Sequence, residues 1–407
     1  MSKSKNIYDL MIIGAGVAGV FAAHTLSEQN KIKICLIEFG RQPKKRRSQT
    51  YGYLGCSFQS SGRLYESNLR EVENICGEEN FKKAKDFVYS ILQAHGTIQK
   101  EINKQPSDLL KDKLNKLGYT LSLNDYIQWY PSSFHTLSDT TANAMEKNPL
   151  IDTFFDDQVN KITKGRNYFT VETEQGPMYS KNILLSIGRI GWRFAKEVFS
   201  QLNLIKDNDY CSFGFRGEIS SSYLKEWNHS SCTLSKDNIT IGPLCWNGTQ
   251  VPEDHGDIVL ANFRENENRW HSEKVSFSVY MKSKFEGNAI EQLERLSKLA
   301  YILADNRVYR GKIKEYLNGN FDLVHVPEYA WMENEMKELN KIIPNFTEKA
   351  SYYVPDIKIS IPKININKDF STDVKGFYVA GESACLHGLL SAMLSGTVVA
   401  QNIIKTF

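Results

Sequence analysis

The sequence has almost no excess of charge: 50 Lys and Arg against 47 Asp and Glu leave a net +3. That balance gives no electrostatic footprint for a nucleic-acid partner. Paired cysteines are missing too. Seven Cys stand singly at positions 35, 56, 76, 211, 232, 245 and 385, with no CxxC. An odd, unpaired set argues against a disulfide framework and against a zinc site, and fits reduced thiols in a cytoplasmic protein. No metal is expected. Long apolar runs are also absent. Leu10 to Leu26 is almost entirely apolar but carries three glycines at fixed spacing and has no small-residue cleavage site behind it. It falls short of the ~20 residues of a membrane span. No membrane span is expected, and in a cytoplasmic chain, which is not glycosylated, the Asn-x-Ser/Thr tripeptides at Asn228, Asn238, Asn247 and Asn345 read as chance matches. There is no internal repeat, no low-complexity tract, and no Walker A, HExxH or GxSxG motif.

What is present is a globular composition, 41% hydrophobic and 24% charged over 407 residues, enough for two to three domains. The first forty residues carry the clearest pattern. Tyr8 to Ile13 reads as a short buried strand, Gly14-Ala15-Gly16-Val17-Ala18-Gly19 follows, and a helix pattern runs from about Val17 to Gln29. Ile32 to Ile37 reads as a second strand and ends at Glu38. Together they form a βαβ unit with a Gly-rich first turn. Gly14 permits the tight turn, Gly16 lets a pyrophosphate approach the backbone, and Gly19 lets the helix pack close to the strand. The helix N-terminus offers N–H groups and partial positive charge to the phosphate. Glu38 stands where a carboxylate accepts hydrogen bonds from a ribose diol. The expectation is a dinucleotide site, with Phe39, Gly40 and Arg41 counted to it. The plain alternative is a structural Gly-rich turn with a surface Glu.

Near the other end, Gly376-Phe377-Tyr378-Val379-Ala380-Gly381-Glu382 reads as a strand ending in Gly and an acid, followed by an apolar helix from about Leu389 to Ile404. This resembles the closing motif of FAD-binding proteins of the glutathione-reductase-like superfamily. The resemblance implies FAD as the cofactor and Glu382 at its ribityl chain. It also implies backbone N–H groups near Gly388, Leu389 and Leu390 at the pyrimidine end of the flavin, where a helix N-terminus stabilises the anion of the reduced ring. Val171 to Thr173 and Asn182 to Ser186 read as strands around a turn at Gln175-Gly176. Ile183 to Gly188 resembles the superfamily's strand ending in Gly, with Val159 placed where the backbone meets adenine.

Further segments resemble a bacterial family named as FAD-dependent dehydrogenases. These are Tyr53 to Leu64, Phe134 to Asp139, Gly188-Arg189-Ile190-Gly191, Gly214-Phe215-Arg216-Gly217-Glu218 and Leu244 to Gly248. Order and spacing match from about Tyr8 to Ile404. The chain departs from that pattern at Ser61 for Asp and Arg63 for Lys, and in a less Gly-rich stretch from Gly381 to Gly388. Ser61 and Gly62 are counted with the cofactor site. The disulfide-reductase branch needs a second Cys near Cys56 and finds none. The tryptophan-halogenase signature is missing, and so is a second GxGxxG for a dedicated nicotinamide domain.

A bound flavin would carry the redox chemistry, and the protein would place and deprotonate the substrate. His387 is the candidate base or orienter, against a hydrogen-bonded loop histidine. Cys56 is a second candidate, against a small buried cysteine. Arg63 suits a substrate carboxylate or the FAD pyrophosphate. His135 and Asp139 read as a helical pair or a cap, and Arg216 and Glu218 as a salt-bridged pair on one strand face. Lys44-Lys45-Arg46-Arg47 reads as a solvated loop or a positive rim.

The expected fold is α/β. A discontinuous Rossmann-type, glutathione-reductase-like FAD-binding domain (1–66, 152–209, 329–407) carries an inserted mixed α/β substrate domain (67–151, 210–328). The expected function is an FAD-dependent oxidoreductase of oxidase or dehydrogenase type, acting between a small organic substrate and flavin N5. Two alternatives stand beside it: an NAD(P)H-dependent reductase or monooxygenase with transient NAD(P)H, and a non-catalytic FAD-binding module. Composition and motifs leave the oligomeric state open.

Overall fold

A computed structural model describes residues 6–29, 31–46, 50–100, 103–207, 210–255, 258–265, 273–284, 289–358 and 360–406. The chain divides into two units. The first comprises residues 1–99, 127–208 and 360–407, the second 100–126 and 209–359.

In the first unit the apolar strand of the sequence forms β1 (Ile7–Ile13), and the Gly-rich turn leads into α1 (Val17–Ser27) and β2 (Ile34–Ile37). Helices α2 (Glu78–His95) and α3 (Pro131–Glu146) follow, then β3 (Ile151–Phe154), β4 (Val159–Lys164), β5 (Phe169–Thr173) and β6 (Gly176–Leu185). The unit closes with β7 (Phe377–Val379) and α4 (Leu389–Ile404). Five strands run parallel in the order β3-β2-β1-β6-β7. Strand β6 does two jobs. Its first half pairs antiparallel with β5 in a β4-β5-β6 meander, and its last three residues pair with β7.

The parallel strands are buried along both faces, as expected for strands inside a parallel α/β sheet. Leu10, Met11, Ile12, Leu36 and Leu184 are all fully buried. Each such side chain contributes about 2 kcal/mol of transfer free energy. Helix α4 packs on α1 at close range: a Cβ on Gly396 would lie 2.1 Å from the Ala18 carbonyl oxygen. The strands end on one edge, and Gly14, Glu38, Ser186 and Ala380 follow β1, β2, β6 and β7 there. In parallel α/β sheets this edge is where ligands bind.

The second unit is built on an eight-stranded sheet, whose central strands are Tyr210–Ser220, Lys274–Lys284 and Ser351–Lys358. They pair antiparallel. One face carries Phe213, Phe215, Ile219, Val275, Phe277 and Val279, all buried. Helices Ala289–Leu303 and Trp331–Ile342 belong to this unit, and Trp331 meets Phe213 and Phe215 edge-on and tilted. The other face is polar and carries Arg216, Glu218, Ser276, Ser278, Tyr280 and Asp356. A separate hairpin, Gly248–Asp254 with Val259–Glu265, completes the unit.

This division differs from the expected one. Residues 67–99 and 127–151 belong to the first unit, because α2 packs on α4 and α3 packs on α1 and β3. Residues 329–359 belong to the second, because strand Ser351–Lys358 pairs with Tyr210–Ser220. No helix among the described residues is long and apolar enough to cross a membrane.

Candidate functional site

The Gly-rich turn adopts the form its glycines allow. Gly14 sits at φ +99°, a conformation that side chains with a Cβ rarely take. A Cβ on Gly19 would lie 2.0 Å from the Gly14 carbonyl oxygen and 2.7 Å from Ser186 Oγ, so the helix can reach this close only without one. Gly16 is different. A Cβ there would meet nothing nearer than the Ser186 oxygen at 3.8 Å. Its lack of a side chain is not needed for internal packing and leaves the backbone approachable. Gly16 is the N-cap of α1, with no side chain capping the helix. Ala15 and Ala18 are buried beside it.

Glu38 is buried, at 4% exposure, and its carboxylate accepts three backbone N–H groups. Oε2 accepts from Ala15 at 2.8 Å, and Oε1 from Gly40 at 2.8 Å and Gly52 at 3.0 Å. Burial pushes its carboxyl above the usual range, opposed by those donors and by Arg46. A carboxylate has about four acceptor sites, so one is left for a further donor. The surface-Glu alternative is excluded. Phe39 is exposed and stacks on Tyr51 at 4.7 Å, while Arg41 pairs with Asp156 at 3.7 Å.

The charge run is not a wholly solvated loop. Lys44 and Lys45 are exposed, but Arg46 turns inward. Its guanidinium donates to the carbonyls of Tyr53 and Gly55, both at 2.6 Å, and of Tyr51 at 3.2 Å. It also lies over the Phe58 ring at 4.5 Å. Burial lowers its pKa to about 10. Arg47 lies outside the described residues. The loop that Arg46 holds rests on the glycine turn, where Leu54 N–H donates to the Ala15 carbonyl at 2.7 Å.

On the same sheet edge, Gly381 (φ +61°) follows β7, and its N–H donates to Ser395 Oγ at 2.9 Å. Glu382 is engaged on both oxygens. Oε1 lies 3.4 Å from Arg189 Nε, and Oε2 accepts from His387 Nδ1 at 2.9 Å. Asn68 donates to the His387 carbonyl at 3.1 Å. Gly388 is the N-cap of α4, and no side chain caps the helix, so the first-turn N–H groups of Leu389 and Leu390 have no cap partner. Gly188, three residues beyond β6, precedes the turn that carries Arg189.

The remaining expected residues are placed as follows. Val159 opens β4 and is buried opposite Thr173. Cys56 is exposed on the turn Gly55–Gln59, which corrects the picture of a small buried cysteine. Ser61 and Gly62 contribute carbonyls to Gln128 Nε2 and the Trp129 N–H. Arg63 is buried on a short strand, Arg63–Tyr65, outside the parallel sheet. His135 and Asp139 are both exposed, and no hydrogen bond joins them among the described residues. His135 instead meets the Phe58 ring edge-on at 4.6 Å. Arg216 and Glu218 do not pair with each other: Arg216 faces Asp356 at 3.5 Å, and Glu218 pairs with Lys274 at 2.8 Å.

Of the five buried hydroxyls without a hydrogen-bond partner among the described residues, none of which a sequence signal marks, two, Ser57 and Ser391, lie by the glycine turn and the start of α4. An unsatisfied buried hydroxyl costs about 1–3 kcal/mol unless a ligand or water partners it. Ser57 lies on the loop against the glycine turn, and Ser391 in the first turn of α4. The open backbone at Gly16, the spare acceptor of Glu38 and the uncapped α4 fit a phosphate-bearing dinucleotide.

No family model matches the sequence, and no curated protein matches it. Solved structures resemble it along nearly its full length. L-alpha-glycerophosphate oxidase from Mycoplasma pneumoniae with FAD bound is 13% identical, with a TM-score of 0.45, covering 98% of this chain and 95% of that one. Glycine oxidase from Geobacillus kaustophilus is 12% identical, with a TM-score of 0.44 and the same two coverages. PqsL, a probable FAD-dependent monooxygenase from Pseudomonas aeruginosa, is 11% identical, with a TM-score of 0.40, covering 98% of this chain and 86% of that one. Likenesses at these values assign no activity to the chain.

Proposed function

We propose that this chain is an FAD-dependent oxidoreductase acting on a small organic substrate. The observation that carries the reading is one sheet edge. It holds a glycine turn with an approachable backbone at Gly16, a buried Glu38 and an uncapped helix preceded by the Glu382–His387 pair.

FAD, when bound, supplies hydride and electron chemistry at its flavin ring. The chain's own residues hold and orient. The N–H groups at the start of α1 and the bare Gly16 backbone receive the pyrophosphate. Glu38 accepts a ribose hydroxyl on its remaining lone pair. The N-terminus of α4 offers N–H groups and positive potential to the pyrimidine side. His387 is the base or orienter: Nδ1 donates to Glu382, which leaves Nε2 as an acceptor for a substrate proton. Arg189 fixes Glu382 from the other oxygen. Cys56 and Arg63 remain secondary candidates for substrate contact.

The visible spectrum of the purified protein, recorded anaerobically before and after NADH or NADPH, tests this. A flavin spectrum that neither nucleotide bleaches supports an oxidase or dehydrogenase reduced by its own substrate. Rapid bleaching places the chain in the reductase or monooxygenase branch. A protein that neither carries nor takes up flavin overturns the reading.

A further inference from the structure

We propose that the polar face of the second unit's sheet binds a small organic acid, with Arg216 anchoring the carboxylate and Gln250 receiving a hydroxyl or amino donor.

The two faces of this sheet differ in kind. Phe213, Phe215, Phe277 and Val279 fill one face. Opposite them the alternation puts Arg216 across from Ser278, and Gly214 between Tyr280 and Asp356. Tyr280 and Asp356, paired on either side of Gly214, meet through the Tyr280 hydroxyl. Ser276, Ser278 and Asp356 are each no more than 4% exposed. A buried ion pair rarely adds stability over apolar packing. Such a face is a cost to the fold unless it recognises something.

Its hydrogen bonds are lopsided. Asp356 is satisfied: Oδ1 accepts from Tyr280 OH at 2.7 Å and Oδ2 from Ser278 Oγ at 2.8 Å. Arg216 is not. Its one ion pair is Nε to Asp356 Oδ2 at 3.5 Å, and buried Nε has no hydrogen-bond partner among the described residues. A guanidinium has five donors in a planar fork matched to a carboxylate. Asp356 lies on the Nε side, Glu253 is a second acid within electrostatic range, and neither Nη makes a hydrogen bond among the described residues. Gln250 supplies the complement. Its Nε2 donates to Ser276 Oγ, and its buried Oε1 has no partner among the described residues. Ser276 and Ser278 are two residues apart on one face, about 7 Å. An under-used donor across from Ser278 and a lone acceptor beside Ser276, on the same face, suit a carboxylate with a hydroxyl or amine on the adjacent carbon.

Binding of this acid is independent of the flavin proposal. That the acid is also what is oxidised rests on it. The test is calorimetric titration of the full purified chain with L- and D-lactate, L- and D-alanine, propionate and lactamide, with flavin content scored separately. We expect lactate or alanine to bind, and lactamide and propionate to bind at least roughly tenfold more weakly. Arg216→Gln should lose roughly ten- to a hundredfold in affinity for the acid. Arg216→Lys, which keeps the charge and loses the fork, serves where the Gln variant does not fold and should lose roughly tenfold. The proposal is overturned if no acid binds, if lactamide or propionate binds as well as lactate, or if a folded Arg216 variant binds unchanged. A protein that neither carries nor takes up FAD yet binds lactate through Arg216 sinks the flavin reading alone. A yellow one that binds no acid sinks this proposal alone.

Discussion

Two glycines three residues apart make opposite predictions. At Gly19 an added methyl would sit 2.0 Å from a backbone oxygen that cannot swing away. Overpacking of this kind costs about 1–3 kcal/mol, and more where backbone must move. Gly19→Ala should therefore lower the stability of the flavin-free protein by about 3 kcal/mol. At Gly16 the backbone is at φ −66°, which alanine adopts freely, and the nearest atom to a new Cβ is 3.8 Å away. Gly16→Ala should change flavin-free stability by no more than about 0.5–1 kcal/mol, and a gain is as expected as a loss. Its methyl would, however, stand where the phosphate approaches. Losing one or two charge-assisted hydrogen bonds at about 1.5–3 kcal/mol each weakens FAD by roughly a hundredfold. Urea unfolding of the apo-proteins and FAD titration by flavin fluorescence quenching separate the two effects. Full FAD affinity in Gly16→Ala, or destabilisation equal to that of Gly19→Ala, would refute the reasoning.

Two further predictions follow from buried charges. Arg46→Met removes three carbonyl contacts from the loop at residues 51–55 while keeping bulk; limited proteolysis should cut there first, and stability should fall by about 2–3 kcal/mol. Glu335, which accepts from Tyr119 OH at 2.8 Å, has its carboxyl raised by burial. The folded state therefore holds that proton more tightly than the unfolded chain, so its contribution to stability declines as pH rises from about 4.3 through the raised value. Glu335→Gln should gain stability relative to the parent across that window, and denaturation measured at several pH values would show no such trend if the carboxyl were unperturbed.

Much of the first unit was legible because its signals are local. A contiguous apolar strand, glycines at fixed spacing and an acid at the next strand's end define β1, α1, β2 and Glu38 without reference to the rest of the chain. The two strands around Gln175-Gly176 and helix α4 were readable for the same reason, whereas strand Val159–Lys164, interrupted by polar residues, was not. The division into units was not, because the amphipathic pattern of α2 and α3 says that one face is buried but not against what. The run Lys44 to Arg47 hid Arg46, since identical charges in a row do not reveal which one turns back to bind carbonyls. Arg216 was placed on the right strand and face with the wrong partner. Its counter-ion, Asp356, comes from a distant strand that sheet register alone brings alongside. Glu382 was legible as an acid at a strand end, but its clamp between Arg189 and His387 depends on three loops meeting.

The most direct test of the central claim is chemical identification of what the protein carries. Acid release from the purified or FAD-reconstituted chain, followed by chromatography and mass spectrometry, should give one FAD per chain. FMN or a nicotinamide dinucleotide in its place, or no nucleotide at all after incubation with FAD, would contradict the account.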